Sequence, residues 1–503
     1  MTVTAQFPMG QGEAAPVPVP PSELPELPER RPGGVRRLTR RVHLRTVPAR
    51  VRALTLVAVV AVGALFGVAN WAIGNARSGL DIIGHDAGPQ VVATGDLFFA
   101  LNDMDAQVAG VLLIGRDHQL GRGRDASLRL YEQRRTEANQ ALLQAAQLAG
   151  DDVTEQRTVR AVLDGLGRYE RLASQAMQLD QQQAHAAGPP SPGVLNLYRQ
   201  ATDLMKLELL PQAYNLTLES GSIVRKTYES KHSSLLDGRL WVLGAGALVV
   251  AVLLAVQLYL VRRYRRLLNP ALALATLGTV VLLAAAAGLL GAQASRLETA
   301  KEDGFDSVLA LSRARAISNS AYADESRYLL DPVRADTYEQ VYFDKSQAIL
   351  YLDAEKTKSL RDYHANLAGA VGRFGPGRST PVTFLGFFGD QARQAEPGTR
   401  EAASVAEVLA GYQAFQQKDR RVRELVTAGQ GAQALTAHVE AREFERYDRA
   451  LVGLARQHRA TFDGAIKDGD RGLRGWNVIL PGASVALVIL ILLGVRPRLA
   501  EYR

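Results

Sequence analysis

The chain has 503 residues, 47% hydrophobic and 22% charged, with 59 Lys and Arg against 51 Asp and Glu for a formal net charge of +8. It contains no cysteine, which excludes disulfides, thiol chemistry and Cys-ligated zinc or iron–sulfur centres. Four uncharged apolar runs of roughly 20 residues, the length a helix needs to cross a bilayer's hydrocarbon core, place it among membrane proteins before any count of domains.

Residues 1 to 50 begin Pro-rich (Pro16, Pro18, Pro20, Pro21, Pro25, Pro28, Pro32) and end Arg-rich. The Pro-rich part cannot bury enough surface to offset its ordering entropy, which predicts a disordered tail. Nine arginines fall between residues 30 and 52, and no acid occurs from Arg30 to Leu80. Such blocks often bind nucleic acid; this one stops where an apolar helix starts, which is the positive-inside pattern, so no nucleic-acid partner is expected. The apolar run starts too late and runs too long for a signal peptide.

The first span is placed at 51–75, with Trp71 at an interface position. Residues 76–239 are polar but periodic. Leu101, Met104, Val108, Val111 and Gly115 share one helical seam, and so do Leu195, Tyr198, Thr202, Met205 and Leu209. Breaks at Gly121-Arg122-Gly123, Gly150-Asp151-Asp152 and Gly188 to Gly193 divide the region into four helices. The second span, 240–261, leads into a short basic loop, 262–269, carrying Arg262, Arg263, Arg265 and Arg266 and no acid. The third span follows at 270–292. A second polar region, 293–475, breaks at Asp331-Pro332, between Gly369 and Gly398, and between Gly429 and Gly431, again predicting four helices. The fourth span is 476–495, and 496–503 ends the chain with Arg496, Arg498 and Arg503. Arginines before the first span, in the loop and after the fourth predict that all three segments, and both ends, are cytoplasmic in a plasma-membrane protein.

The two halves are similar at an offset of about 217 residues, which pairs Asn102 with Asn319, Ala106 with Ala323 and Leu112-Leu113 with Leu329-Leu330. The expected fold is therefore an all-α membrane protein with four transmembrane helices and two extracytoplasmic four-helix-bundle, sensor-like domains in tandem. An insertion, Gly372 to Gln391, has no counterpart in the first half. Helix lengths bring it back toward the membrane, where Phe384, Leu385, Phe387 and Phe388 either rest in the interface or cap the bundle core, the second being favoured.

Catalytic signatures are absent: there is no phosphate-binding loop, HExxH, nucleophile elbow or kinase motif set, and the eight histidines do not pair at metal-ligand spacing. No enzyme activity, cofactor or metal is expected. Uncharged spans disfavour a pump or coupled transporter, and Gln257 and Thr279 are read as helix–helix contacts. Two charged tips are candidate ligand- or partner-facing sites: Arg116, His118, Arg122 and Arg124 in the first half, and Glu325, Arg327 and Asp331 in the second. Guanidinium forks suit carboxylates. The plainer alternative is a solvated helix end, with Arg327 pairing Asp331 one turn on. The loop arginines are candidates for topology and for cytoplasmic contact.

The helix phrase SNSAYADESRYLLDP (318–332) and its counterpart DLFFALNDMDAQVAGVLLIG (96–115) resemble the GlnX-type membrane proteins of actinobacteria. That resemblance implies a signal transducer that works with an extracytoplasmic glutamine/aspartate-binding lipoprotein and a cytoplasmic serine/threonine protein kinase, protein kinase G. The bundles also resemble four-helix sensor domains of chemoreceptors, without the long cytoplasmic signalling helix. A structural or accessory scaffold of a transporter or envelope complex is the competing reading. Beyond membrane lipid and these proteins, a homodimer is left open.

Overall fold

The computed structural model describes residues 47–116, 123–149, 153–264, 269–353, 355–377 and 381–500. The expected N-terminal tail lies almost wholly outside the described residues. Regular structure among the described residues is helical, apart from one antiparallel bridge in which Tyr351 and Leu385 exchange backbone hydrogen bonds of 3.0 Å.

The long helices organise everything else. α1 (Val47–Leu80) runs through a π-helical segment, Asp81–Ala87, into α2 (Gly88–Ile114). After α3 (Arg124–Leu148) and α4 (Val153–Gln182), α5 (Pro192–Leu204) runs through a second π segment, Met205–Leu209, into α6 (Leu210–Tyr264). α7 (Pro270–Glu298) and α8 (Ser307–Leu330) flank a third, Thr299–Asp306. The α1–α2 rod is about 100 Å long at a rise of roughly 1.5 Å per residue. There follow α9 (Ala335–Ile349), α10 (Leu360–Val371), α11 (Gly386–Gln394), α12 (Arg400–Thr427), α13 (Gly431–Val439), α14 (Glu443–Leu473) and α15 (Trp476–Ala500).

Four helices are long and apolar enough to cross a membrane, within Ala49–Ile114, Pro192–Arg262, Pro270–Leu330 and Gly431–Pro497, and they mark a multi-pass membrane protein. Leu56, Val60, Leu248, Leu277 and Val485 face outward from them, while Val62, Val249, Leu282 and Leu487 join one inner cluster. α1 lies between α6 and α15, and α7 closes the ring. Small residues permit close approach, as they do wherever lipid supplies no hydrophobic drive between helices. A Cβ on Gly246 would come within 2.5 Å of Leu283, and one on Gly494 within 2.8 Å of Leu272. Gln257 donates to Thr276 Oγ1 on the neighbouring helix at 2.9 Å, the kind of contact expected of it; Thr279 bonds back to Ala275 O of its own helix at 2.8 Å.

Outside the membrane, the first region comprises α2, α3, α4 and the α5–α6 rod. Both predicted seams are buried in it, from Leu101, Met104, Val108 and Val111 to Tyr198, Thr202, Met205 and Leu209. The second region has seven helices among the described residues, α8 to α14, where four were expected. One unforeseen break, 350–359, contains neither Gly nor Pro. α10 starts there because the Ser359 hydroxyl accepts from the Asp362 N–H at 3.2 Å and caps the new helix. The Phe-rich insertion does not reach the membrane. Phe384 and Phe388 are buried in the second region's core, Phe388 against Tyr412 and Tyr447. Gln391 donates to Ser307 Oγ at 3.3 Å, about 22 Å of helix beyond Ala292.

The two regions pack along α2 and α8, and Leu330 and Leu435 of the second belong to the core of the first. Lower down, the first and third π segments each press a glycine against α14. A Cβ on Gly84 would meet Ile466 at 2.6 Å, and one on Gly304 would meet the Phe462 backbone Cα at 2.8 Å. Backbone cannot rotate away as a side chain can. We expect Gly304→Val to cost about 1–3 kcal/mol, read as a lowered unfolding midpoint of the detergent-solubilised chain. Gly464→Ala, at a helical site with nothing within 4 Å, should leave stability unchanged or improved.

Candidate functional site

α2 is apolar along most of its length yet carries Asn102, Asp103 and Asp105 within little more than one turn, and α8 carries Asn319, Asp324, Glu325 and Arg327. Packing these helices together buries the charges. Asp105, Asp324, Glu325 and Asp331 are 0% exposed and Arg327 is 2% exposed. The tip expected at Glu325, Arg327 and Asp331 is thus an interior junction, because the first region covers it.

Arg327 is the centre. Nη2 donates to Asp105 Oδ2, Nη1 donates to Asp324 Oδ1, and Nε reaches the Tyr198 hydroxyl at 3.2 Å. Asp105 also accepts from Tyr169 OH at 3.1 Å and Thr202 Oγ1 at 2.7 Å. Asp324 also accepts from Lys345 and, at 3.4 Å, from Lys206 of the first region. Asp331 does not pair with the Arg327 side chain; Arg199 grips it bidentately at 2.8 and 2.6 Å. Beside this, Glu325 Oε1 accepts from Lys418 at 2.6 Å and lies 3.0 Å from His438 Nδ1, and Ser326 lies 2.9 Å from His438 Nε2.

Burial alone would raise the Asp324 carboxyl, but Lys345, Arg327 and Lys206 hold it well below the usual carboxylate range. Burial lowers the Lys345 ammonium to about 8 against the pull of Asp324. Burial, aided by Lys418, lowers His438, so it is neutral at physiological pH despite Glu325. The tautomer with its proton on Nδ1 lets Glu325 accept from it and Ser326 donate to Nε2.

A cavity of about 350 Å³ opens next to this cluster, between α2–α3 on one side and α8, α13 and α14 on the other, lined by Phe99, Asp103, Arg134, Asn319, Tyr322 and Phe444 among others. Asn319 lines it with a buried Oδ1 that has no hydrogen-bond partner. Asn102 of α2, by contrast, donates to Phe98 O at 2.8 Å. A small polar molecule would fit both the size and the amide.

The other predicted residues are dispersed. Arg124 binds Asp180 at 2.5 Å and the Val111 carbonyl at 3.2 Å, so it ties the end of α2 to α4. His185 holds the other Asp180 oxygen at 2.8 Å. Arg116 is exposed, and His118 and Arg122 lie outside the described residues. Arg262 is exposed at the end of α6; the side chain of Arg263, and Arg265 and Arg266, lie outside the described residues. Sequence reasoning missed Asp105, Asp324, Lys345, Lys418 and His438. The available signal was a run of acids and amides inside the most regular apolar seam of the chain.

Residues 79–229 match the family model of an actinobacterial sensor domain. No curated protein and no solved structure matches the chain. The matched stretch is the first extramembrane region, from the end of α1 into α6, and it points to a sensing or signalling role. It supplies Asp105, Tyr198, Arg199 and Lys206, which contact Arg327, Asp331 and Asp324 of the second region, and Tyr169 and Thr202, which hold Asp105 in place.

Removing Arg327 leaves Asp105 with only hydroxyl donors, whereas Asp324 keeps two ammonium groups. Arg327→Met should cost about 3–5 kcal/mol. Adding Asp105→Asn should recover part of that loss, and adding Asp324→Asn should not. Denaturant midpoints of the three variants check this, and equal double variants would refute the pairing. His438 yields a second expectation. Its folded pKa lies below 6.5, so on acidification the unfolded chain takes up a proton before the folded one does, and stability falls as pH drops through about 6.5. The carboxylates act lower still: Asp419, near 2 because Arg423 and His364 outweigh its burial, keeps its contribution until the pH falls below about 4. Midpoints measured from pH 7.5 to 5 should lose most of this slope in His438→Asn.

Proposed function

We propose that this protein is a transmembrane signal transducer that relays extracytoplasmic amino-acid availability, glutamine or aspartate, through a solute-binding lipoprotein to a cytoplasmic serine/threonine kinase. One observation carries the reading: the sensor-like stretch is bounded at both ends by helices, α1–α2 and α5–α6, that continue unbroken across the membrane span. A displacement at the junction therefore has a rigid path to the far side. Helix shifts of an ångström or two are a known switching mode. The resemblance to GlnX-type proteins supports the identity of the partners, and the arginines before the first span, between the second and third, and after the fourth support placing both ends inside.

In this reading the two halves are tandem copies whose central helices, α2 and α8, face one another. The first and third π segments, beginning at residues 81 and 299, fall at nearly the offset at which the sequences align, which supports it.

The absence of cysteine permits a clean test. A Cβ on Gly95 of α2 would lie 3.8 Å from Ser312 Cβ of α8, the mean separation in a disulfide. Gly95→Cys with Ser312→Cys should cross-link the halves on oxidation. In cells, the response of the kinase's substrates to external glutamine or aspartate should disappear in the oxidised form and return with a reductant. A detergent pull-down should recover a solute-binding lipoprotein and a serine/threonine kinase. Recovery of envelope-assembly proteins alone, with an unchanged response in the locked form, would favour a scaffold.

A further inference from the structure

A second cavity, of about 380 Å³, lies wholly within the second region and outside the sensor-like match. It is built by Tyr328 of α8, Glu339 of α9, Arg361 and His364 of α10, and Arg420 and Arg423 of α12. Arg423 is the most buried of its arginines. It is 8% exposed, and its guanidinium lies over the rings of Tyr328 at 4.4 Å and Tyr342 at 4.9 Å. Two rings fix the plane of the fork, so its donors keep their directions. Nε donates to Asp419 Oδ2 at 2.8 Å and Nη1 to Glu339 Oε2 at 3.2 Å, but the buried Nη2 has no acceptor. A buried charged donor left without an acceptor is uncommon, because nothing offsets its lost hydration.

The remaining charges favour an anion. Asp419, whose Oδ1 is also buried without a partner, balances Arg423 through Nε. Arg420 pairs with Glu424 at 2.7 Å, but both are more than half exposed, so the pair is weak and exchangeable. Glu339 is 47% exposed and can swing away. Arg361 is exposed, and among the described residues it makes no ion pair. α10 begins at this cavity and α12 ends at it, so the two helix dipoles offset one another and selection rests on the guanidiniums.

We propose that this cradle binds the oxyanion group of a small molecule, a carboxylate or a phosphate, with Arg423 as the fixed fork and Arg361 and Arg420 closing over the ligand. The cavity suits a molecule of amino-acid or sugar-phosphate size. The site is independent of the relay proposed above. It has its own path to the junction, because α12 also carries Lys418, which holds Glu325 one residue from Asp324. An anion drawn to Arg423 competes with Glu339 and acts on the helix that anchors α8.

The test uses the full chain in detergent, with unfolding midpoints measured against sodium phosphate, sodium succinate and sodium chloride at matched ionic strength. Phosphate or succinate should raise the midpoint saturably where chloride does not, and whichever acts names the source of the oxyanion. The double variant Arg361→Gln/Arg420→Gln alters only exposed side chains and should fold. It should weaken the apparent affinity by about tenfold or more, the loss of one or two charge-assisted hydrogen bonds. Arg423→Gln should abolish saturation. No saturable effect of either anion, or equal affinity in the double variant, would overturn the proposal; equal shifts would be the general exclusion effect of such salts.

Discussion

A guanidinium with two carboxylates, sealed from water between α2 and α8, is the constraint on which the extramembrane part depends. Taking such ions out of water costs several kcal/mol each, and only complete pairing offsets it. Arg327 satisfies Asp105 and Asp324 together, Tyr198, Tyr169 and Thr202 fill the remaining positions, and Lys345 and Lys206 complete Asp324. A slip of one helical turn, about 5.4 Å, would break these bonds together. The halves therefore hold one register or separate; intermediate offsets leave charges buried without partners. An interface of this kind has discrete arrangements rather than a continuum, which is what a signalling element requires.

The same constraint explains what could be read in advance. The spans were legible because lipid demands an uninterrupted apolar length, and the seams at Leu101 and Tyr198 because a buried helical face repeats locally. Glu325, Arg327 and Asp331 were legible as chemistry but not as interior residues. Asp105 lies 222 positions from Arg327, and no local period carries a contact at that distance. The short helices α9, α10 and α11 were hidden for a different reason. The boundary between α9 and α10 is set by a serine cap and by side-chain packing, in a stretch, 350–359, without the glycine or proline that usually announces a break. The Phe-rich insertion was hydrophobic enough for either a membrane interface or a core; the aromatic cluster around Tyr412 and Tyr447 decided it.

The membrane and extramembrane layers are joined by the first and third π segments. The first and third each place a glycine, Gly84 and Gly304, against α14 at Ile466 and Phe462. α14 is thus gripped within about one turn, at Phe462 and Ile466, by the helices that lead to Asp105 and to Arg327. The junction above and this collar below bracket the rods, and a rearrangement of one must be accommodated by the other.

Three of the four membrane-crossing helices are continuous with the helices above them, but α14 and α15 are separated at Arg474-Gly475, where Gly475 takes a φ of +85° that a side chain would resist. A continuous shaft transmits torque. A shaft cut by a swivel does not, although it still passes on a thrust along its axis. A rotation of α14 would therefore be dissipated at Gly475, while α15 is tied through Gly494 O to Asn269 at the start of α7.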